Sequence, residues 1–319
     1  MTDRTAHESL AGWPPPVLDP AGPFAAPLNT LTWGLLAMAA GVTLVVVVAM
    51  GVALFGPRAW RQKLGGERLI WIAGLGFPLV VLTALLIWGL SLTNRLAETP
   101  QPGDLRVRVT GEMWWWRVAY LDETGRETFQ DANEIHIPVG RPIAFELEST
   151  DVIHSFWVPR LAGKLDMIPG RRNVLRLQAD KPGTYAGQCA EYCGGAHALM
   201  AFVVVAHTPE DYERWRAQAS RPAAILPAHN AGAAAFDRAG CGACHTVRGA
   251  SANGVAGPDL THVGSRQTLG AGVLPNNAGT MAGWIADSQA IKPGNRMPAY
   301  PVLTGPELRA ISGYLESLK

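Results

Sequence analysis

The sequence predicts a multidomain membrane protein: an N-terminal transmembrane α-helical hairpin, an all-β domain, and a C-terminal all-α domain. Three observations predict it. Two charge-free apolar runs stand near the N-terminus, period-two alternation fills the middle of the chain, and a change of composition after residue 220 brings Gly-rich loops and terminal helices. The 319 residues leave room for two or three domains of roughly 100–200 residues each. Hydrophobic residues make up 48% and charged residues 17%, against about 25% charged in an ordinary soluble domain. This excludes a wholly soluble, highly charged chain, and it excludes disorder throughout. A net charge of +1 leaves no basic excess to neutralise phosphates, so nucleic acid is not an expected partner.

Residues 1–29 are polar and proline-rich, without the basic start and apolar run of a signal peptide, and read as an irregular tail. Residues 30–98 hold the hairpin. Its charge-free runs, about 31–55 and 69–92, are each long enough to cross a bilayer as a helix. Pro78 lies inside the second run and requires neighbours to satisfy a freed carbonyl. Trp33, Trp60, Trp71 and Trp88 lie near the ends, as interface anchors do. The connecting loop carries Arg58, Arg61, Lys63 and Arg68 against Glu67 alone. The positive-inside rule places that loop in the cytoplasm and both flanks outside, which in a bacterium is the periplasm.

Residues 99–219 form the β domain. Leu105, Val107 and Val109 alternate with polar residues, as do Ile135, Ile137 and Val139, and Ile143, Phe145 and Leu147. Turn residues between these runs point to an antiparallel sandwich or barrel. A short helix over 209–219 follows Thr208 as N-cap. Residues 220–232, rich in Ala and Pro, read as a linker, and 233–319 as the third domain.

The four cysteines form two tight pairs, Cys189/Cys193 and Cys241/Cys244. Too few for a disulfide scaffold, they suggest metal or cofactor chemistry. Cys189, Cys193, His197 and Met200 fall within twelve residues, and His154 lies upstream. Thiolates, imidazoles and a thioether on a β scaffold form a soft set that favours copper. With two cysteines in one loop, two thiolates can bridge two coppers, and one histidine caps each metal. A structural zinc site would leave Met200 unexplained. A disulfide would leave both histidines incidental. Of the three consecutive tryptophans Trp114, Trp115 and Trp116, strand alternation leaves at least one ring off the core, and an exposed ring there would help an electron enter.

From Leu31 to Ala219 the chain resembles subunit II of haem–copper cytochrome c oxidases, through the signature Cys189-x-Glu191-x-Cys193-Gly-x-x-His197-x-x-Met200. The resemblance implies a cupredoxin-like domain with a dinuclear CuA centre. By position, Cys189 and Cys193 bridge the coppers, His154 and Met200 complete one, and His197 and the carbonyl of Glu191 complete the other. It also implies that the Glu191 carboxylate reaches a magnesium ion at the subunit I interface, near the segment from Lys164 to Arg171. Gly111-Glu-Met-Trp114-x-Trp116 resembles the family motif whose first tryptophan receives electrons, which makes Trp114 the electron-input residue. Glu67 sits about one place from the register of a glutamate that many members carry near a proton channel.

Cys241-Gly-Ala-Cys244-His245 is the c-type haem attachment motif: two thioethers and an axial histidine. Met297, in a loop before the last helix, is the preferred sixth iron ligand over Met281 and His262, and His/Met ligation keeps the potential high. Thioredoxin-like chemistry is disfavoured by His245 and by the lack of a βαβ pattern. Residues 233–319 resemble a class I cytochrome c domain, and the whole resembles the fused subunit II of caa-type oxidases. That implies oxidase subunits I and III as partners, an external cytochrome c or quinol–cytochrome c reductase as electron source, and O2 reduction coupled to proton translocation on another chain. A linker hinge would hold the fused donor at about millimolar effective concentration. A CuA subunit of a nitric oxide reductase and a membrane-anchored redox carrier without a catalytic partner are the competing readings.

Overall fold

The computed structural model describes residues 15–96 and 100–319. Residues 1–14 of the predicted tail and the predicted boundary at 98/99 lie outside the described residues. The chain divides into two compact units, the hairpin (26–98) and everything else.

In the hairpin, α1 spans Ala26–Phe55. It starts before the predicted residue 31 because Pro27 fits a first turn and because Thr30 and Thr32 turn their hydroxyls onto the carbonyls of Ala26 and Leu28, at 3.1 and 2.9 Å. The basic loop is itself helical, α2 at Arg58–Leu64, and ends at Gly65. The second span runs from Glu67 to Leu96, as α3 (Glu67–Trp71), a π turn (Ile72–Gly76) and α4 (Phe77–Leu96). Pro78 explains the π turn. Proline has no N–H and crowds the carbonyl four residues back, and the chain answers by widening, so that the Phe77 N–H reaches Ile72 O, five residues back. The most apolar 18 residues of each span bury no side chain, while Leu92, near the end of the second, is buried. Leu44, Val45, Leu79 and Val80 stand exposed as lipid-facing side chains do.

The second unit contains a β sandwich. One sheet has the order β3-β2-β1-β5-β8 and the other β4-β10-β9-β6-β7. The strands are β1 (Leu105–Glu112), β2 (Trp115–Leu121), β3 (Glu127–Ala132), β4 (Glu134–Pro138), β5 (Ile143–Ser149), β6 (His154–Trp157), β7 (Leu165–Met167), β8 (Asn173–Leu177), β9 (Gly183–Cys189) and β10 (Ala201–His207). The sandwich is not purely antiparallel: β1 pairs parallel with β5, and β4 with β10. The chain crosses between the sheets at β4, β5, β6, β8 and β9. Val107, Val109, Ile135, Ile137, Ile143, Phe145 and Leu147 fill the space between the sheets, as the alternation requires. Helix α5 (Pro209–Ala219) begins with Thr208 accepting from the Asp211 N–H. It lays Trp215 flat on His136, with ring centroids 4.2 Å apart.

The C-terminal region is mainly helical: α6 (Asn230–Arg238), α7 (Ala278–Ala286), α8 (Ser288–Ile291) and α9 (Gly305–Ser317), with one two-residue ladder, β11 (Thr268–Leu269) and β12 (Leu274–Pro275). The Phe236 ring on α6 meets Tyr314 on α9 edge-on. Helix α6 starts inside the predicted linker, because Ala231 and Ala233–Ala235 are strong helix formers. The rest of that segment is tied down. Arg248 donates to the carbonyls of Ala219 and Ser220, the Ala223 N–H donates to Arg248 O, and His262 bonds Arg221 O. The expected free hinge is therefore not what the segment forms.

Candidate copper and haem sites

The first site sits where β6, the end of β9 and the loop to β10 converge. His154, Cys189 and Cys193 are buried, with donor atoms within 4.8 Å of one another. Cys189 Sγ lies 3.7 Å from Cys193 Sγ, 3.8 Å from His154 Nδ1 and 3.2 Å from Glu191 O. Cys193 Sγ lies 3.4 Å from His197 Nδ1 and 3.8 Å from Met200 Sδ. Bonds of about 2.0–2.3 Å in a tetrahedron put neighbouring donors about 3.3–3.8 Å apart. Six donors at such spacings around two sulfurs exceed the four that one zinc takes, and they fit a soft metal pair. The local chain explains the convergence. The Cys189 N–H pairs with Met200 O, and His197–Leu199 makes a single 3-10 turn that brings His197 and Met200 back over the cysteines.

Their contact makes the two thiols unequal. The Cys189 thiol is pushed down to about 4, first by its contact with Cys193 and then by His154, and the same contact pushes Cys193 up. Burial opposes a charged His154, but hydrogen bonds to Cys189 and Asp151 outweigh it and raise its pKa. Asp151 is a residue that sequence reasoning passed over, although it stands three places before His154. Its Oδ1 lies 2.9 Å from His154 Nε2, which leaves Nδ1 facing the sulfurs. Its Oδ2 accepts from the Met113 N–H at 2.8 Å. Burial opposes the Asp151 charge, and these bonds still hold its carboxyl below the usual value. A carboxylate behind a histidine fixes the tautomer and direction of the ring.

The Glu191 side chain turns outward. Its carboxylate lies 3.6 Å from Lys164 Nζ, which is also 3.5 Å from Asp166.

The second site is a largely apolar cleft lined by Cys241, Cys244, His245, Met281, Trp284 and Met297. His245 Nδ1 lies 2.9 Å from Pro258 O. A ring that donates there presents a bare Nε2, and burial lowers its pKa and keeps it neutral, as an iron ligand must be. Trp284 Nε1 donates to Met297 Sδ at 3.1 Å. Met281 lines the cleft but is packed into the core of this domain, and His262 does not line the cleft. The two cysteines are free, so the residues present suit a covalently held haem.

Trp114 departs from expectation. The ring expected to be exposed is only 9% exposed. It lines the haem cleft, and its Nε1 donates to Cys193 O at 2.8 Å. The C-terminal domain covers it. Trp116 is fully buried against Phe202, Phe156 and His154, while Trp115 lies under Arg117.

The comparisons with known proteins agree with the order of the two domains. Residues 120–207 match the family profile described as cytochrome C oxidase subunit II, periplasmic domain, and residues 230–319 match cytochrome c. A cytochrome c oxidase subunit 2 of Alkalihalophilus pseudofirmus is 35% identical over 321 residues, covering 95% of this chain and 90% of that protein. One from Bacillus subtilis is 30% identical over 295 residues, covering 86% and 81%. The solved periplasmic domain of subunit II of cytochrome oxidase of Bradyrhizobium japonicum is 31% identical, covers 38% of this chain and 96% of its own, and gives a TM-score of 0.35. The chain belongs to the cytochrome c oxidase subunit II family, as a member that carries its own C-terminal cytochrome c domain.

Proposed function

We propose that this chain receives electrons on its fused haem c and passes them through a dinuclear CuA centre to the haem–copper site of subunit I, where O2 is reduced to water and protons are translocated. The two centres, when loaded, supply one-electron redox chemistry. The residues of the chain supply the positions. Cys189 and Cys193 would hold the copper pair between them, with His154, Met200, His197 and the Glu191 carbonyl as the remaining donors. Cys241 and Cys244 would hold the haem, with His245 and Met297 as its iron ligands. Trp114 joins the sites, and its placement carries the reading: one indole lines the haem cleft while its N–H holds the carbonyl of Cys193. Electrons therefore arrive at Trp114 from within the chain.

By resemblance to the family the outward Glu191 carboxylate would share a magnesium ion with subunit I; in this chain it pairs with Lys164, which also faces Asp166. Subunit III completes the complex, and an external cytochrome c or a quinol–cytochrome c reductase feeds the haem. The chain is a two-pass protein of the bacterial inner membrane. The basic segment Arg58–Arg68 faces the cytoplasm, and the N-terminus and both redox domains face the periplasm.

The test uses the complex purified in mild detergent through a tag on this chain. With a reductant feeding the haem, O2 and NO consumption are followed side by side. Cyanide-sensitive O2 uptake that is lost in Cys189→Ser and His197→Ala is the expected result. NO uptake with negligible O2 uptake would reassign the chain to a nitric oxide reductase. No uptake of either gas, with no large subunit co-purifying, would leave a redox carrier.

A further inference from the structure

Lys292 is the one lysine among the described residues that is buried, at 2% exposure. Its Nζ lies 2.6 Å from Trp114 O, 2.8 Å from Leu199 O and 2.9 Å from Gly270 O. Two of these carbonyls belong to the copper-binding domain. Trp114 is the residue between the two sites, and Leu199 directly precedes the donor Met200. The third belongs to the cytochrome domain. Burial pushes the amine down to about 7. Even so, only the ammonium has three N–H donors for three acceptors, and a neutral amine would leave one buried carbonyl unmet. A buried lysine bound in this way is not a solubilising surface charge. It is a three-point tie across a domain boundary.

Four residues on, Arg296 Nη2 lies 3.1 Å from Asp151 Oδ2, the carboxylate behind His154. Lys292 and Arg296 thus flank the Pro-Gly turn of the loop that delivers Met297 to the haem cleft. The turn itself touches Trp114. A Cβ added to Gly294 would lie 3.3 Å from the Trp114 ring, and one added to Gly194, in the copper loop, would lie 3.0 Å from it. Both glycines have positive φ, +80° and +110°. The indole therefore lies between two backbone turns, one from each site, that only glycine fits.

We propose that Lys292 and Arg296 are positioning residues for electron transfer from haem to copper: they latch the cytochrome domain onto the copper-binding domain and clamp Trp114 between the two metal-binding loops. This deepens the electron route proposed above and rests on it. The fused donor is held docked, not tethered and searching. Further ties run alongside the latch. Arg266 pairs with Asp131, the Gln267 N–H donates to Glu134, and the Ala201 N–H donates to Ala271 O. Lys292 and Arg296 reach the copper-binding domain from the loop that carries Met297.

The test uses the complete oxidase complex, with Lys292→Met and Arg296→Gln. Optical and EPR spectra establish that both centres are loaded. Light-driven reduction of the haem then times its transfer to CuA, and onward transfer from CuA to subunit I serves as the internal control. In the parent complex the first step should be indifferent to solvent viscosity. In Lys292→Met it should slow by about tenfold or more and become viscosity-dependent, with the onward step unchanged. Arg296→Gln should slow it less, and Arg296→Lys should restore it. Amide exchange at Met113–Trp115 should rise in Lys292→Met. A loaded Lys292→Met complex that transfers at the parent rate overturns the latch, as does viscosity dependence in the parent. If Lys292→Met does not load, unchanged transfer in Arg296→Gln overturns it. If the parent haem never reduces CuA, the proposed route fails, and the exchange measurement still decides whether the latch exists.

Discussion

Arg296 and Asp151 form an ion pair at 3.1 Å that joins the neighbours of two proposed redox ligands, Met297 and His154. Arg296 precedes Met297 in the haem loop, and Asp151 holds the ring of His154. One carboxylate therefore answers to both sites, and substitutions on either side of the pair should be felt at the copper.

Asp151→Asn keeps the shape of the side chain but removes the charge that fixes His154. Copper affinity should fall by about 10–100-fold. Competition with a copper chelator, followed by the CuA absorption, measures it. Unchanged affinity would mean that the ring is held by packing alone.

Arg296→Gln removes a positive charge near the copper site and so favours the oxidised, more positive state. The CuA midpoint potential should drop, by no more than about 1 kcal/mol because the guanidinium is over half exposed and screened. A potentiometric titration that shows a rise would contradict this.

Trp114→Phe retains an aromatic ring between the loops and loses the indole donor. The carbonyl of the buried Cys193 is then left without that partner, at a cost of about 1–3 kcal/mol. Thermal unfolding of the loaded complex should register the loss, and transfer from haem to copper should slow. Replacement with no effect on either quantity would remove Trp114 from the route.

Glu146 provides a pH test away from both sites. Burial opposes its charge, but hydrogen bonds and attraction from Arg106 and then Arg108 prevail and hold its carboxyl below the ordinary 4.5. A carboxyl lowered in the folded state contributes stability above its unfolded value, and the contribution fades as pH falls through the folded value. Glu146→Gln should therefore destabilise the β domain at neutral pH by about 1–2 kcal/mol, part of it screened by solvent at the arginines. The difference from the parent should close in strong acid. A constant difference across the pH range would show that lost packing, not charge, is responsible.

Much of this molecule was legible because its chemistry is local in sequence. Cys189 to Met200 holds five of the six proposed copper donors within one loop, and Cys241 to His245 holds three proposed haem attachments in five residues. The apolar runs announced both spans, and Pro78 announced a disturbance in the second. What stayed hidden depends on long-range closure. Lys292 meets Trp114 across 178 positions and Arg296 meets Asp151 across 145, and no periodicity encodes such pairs. Both residues stand within five positions of Met297, where the sequence does not set them apart from surface charges. The burial of Trp114 was invisible for the same reason, since its cover comes from another domain. The parallel ladders were missed because alternation reports which face is buried, not strand direction.

The π turn before Pro78 has a consequence for comparing this span with others. An α-helix advances about 100° per residue. One residue accommodated in a wider turn rotates everything downstream by roughly that angle. The stripe that Phe77–Leu96 offers to neighbours is therefore offset from the one projected by counting straight through from Glu67. A helical wheel drawn across Gly74 without that correction would assign lipid-facing and partner-facing positions to the wrong side chains.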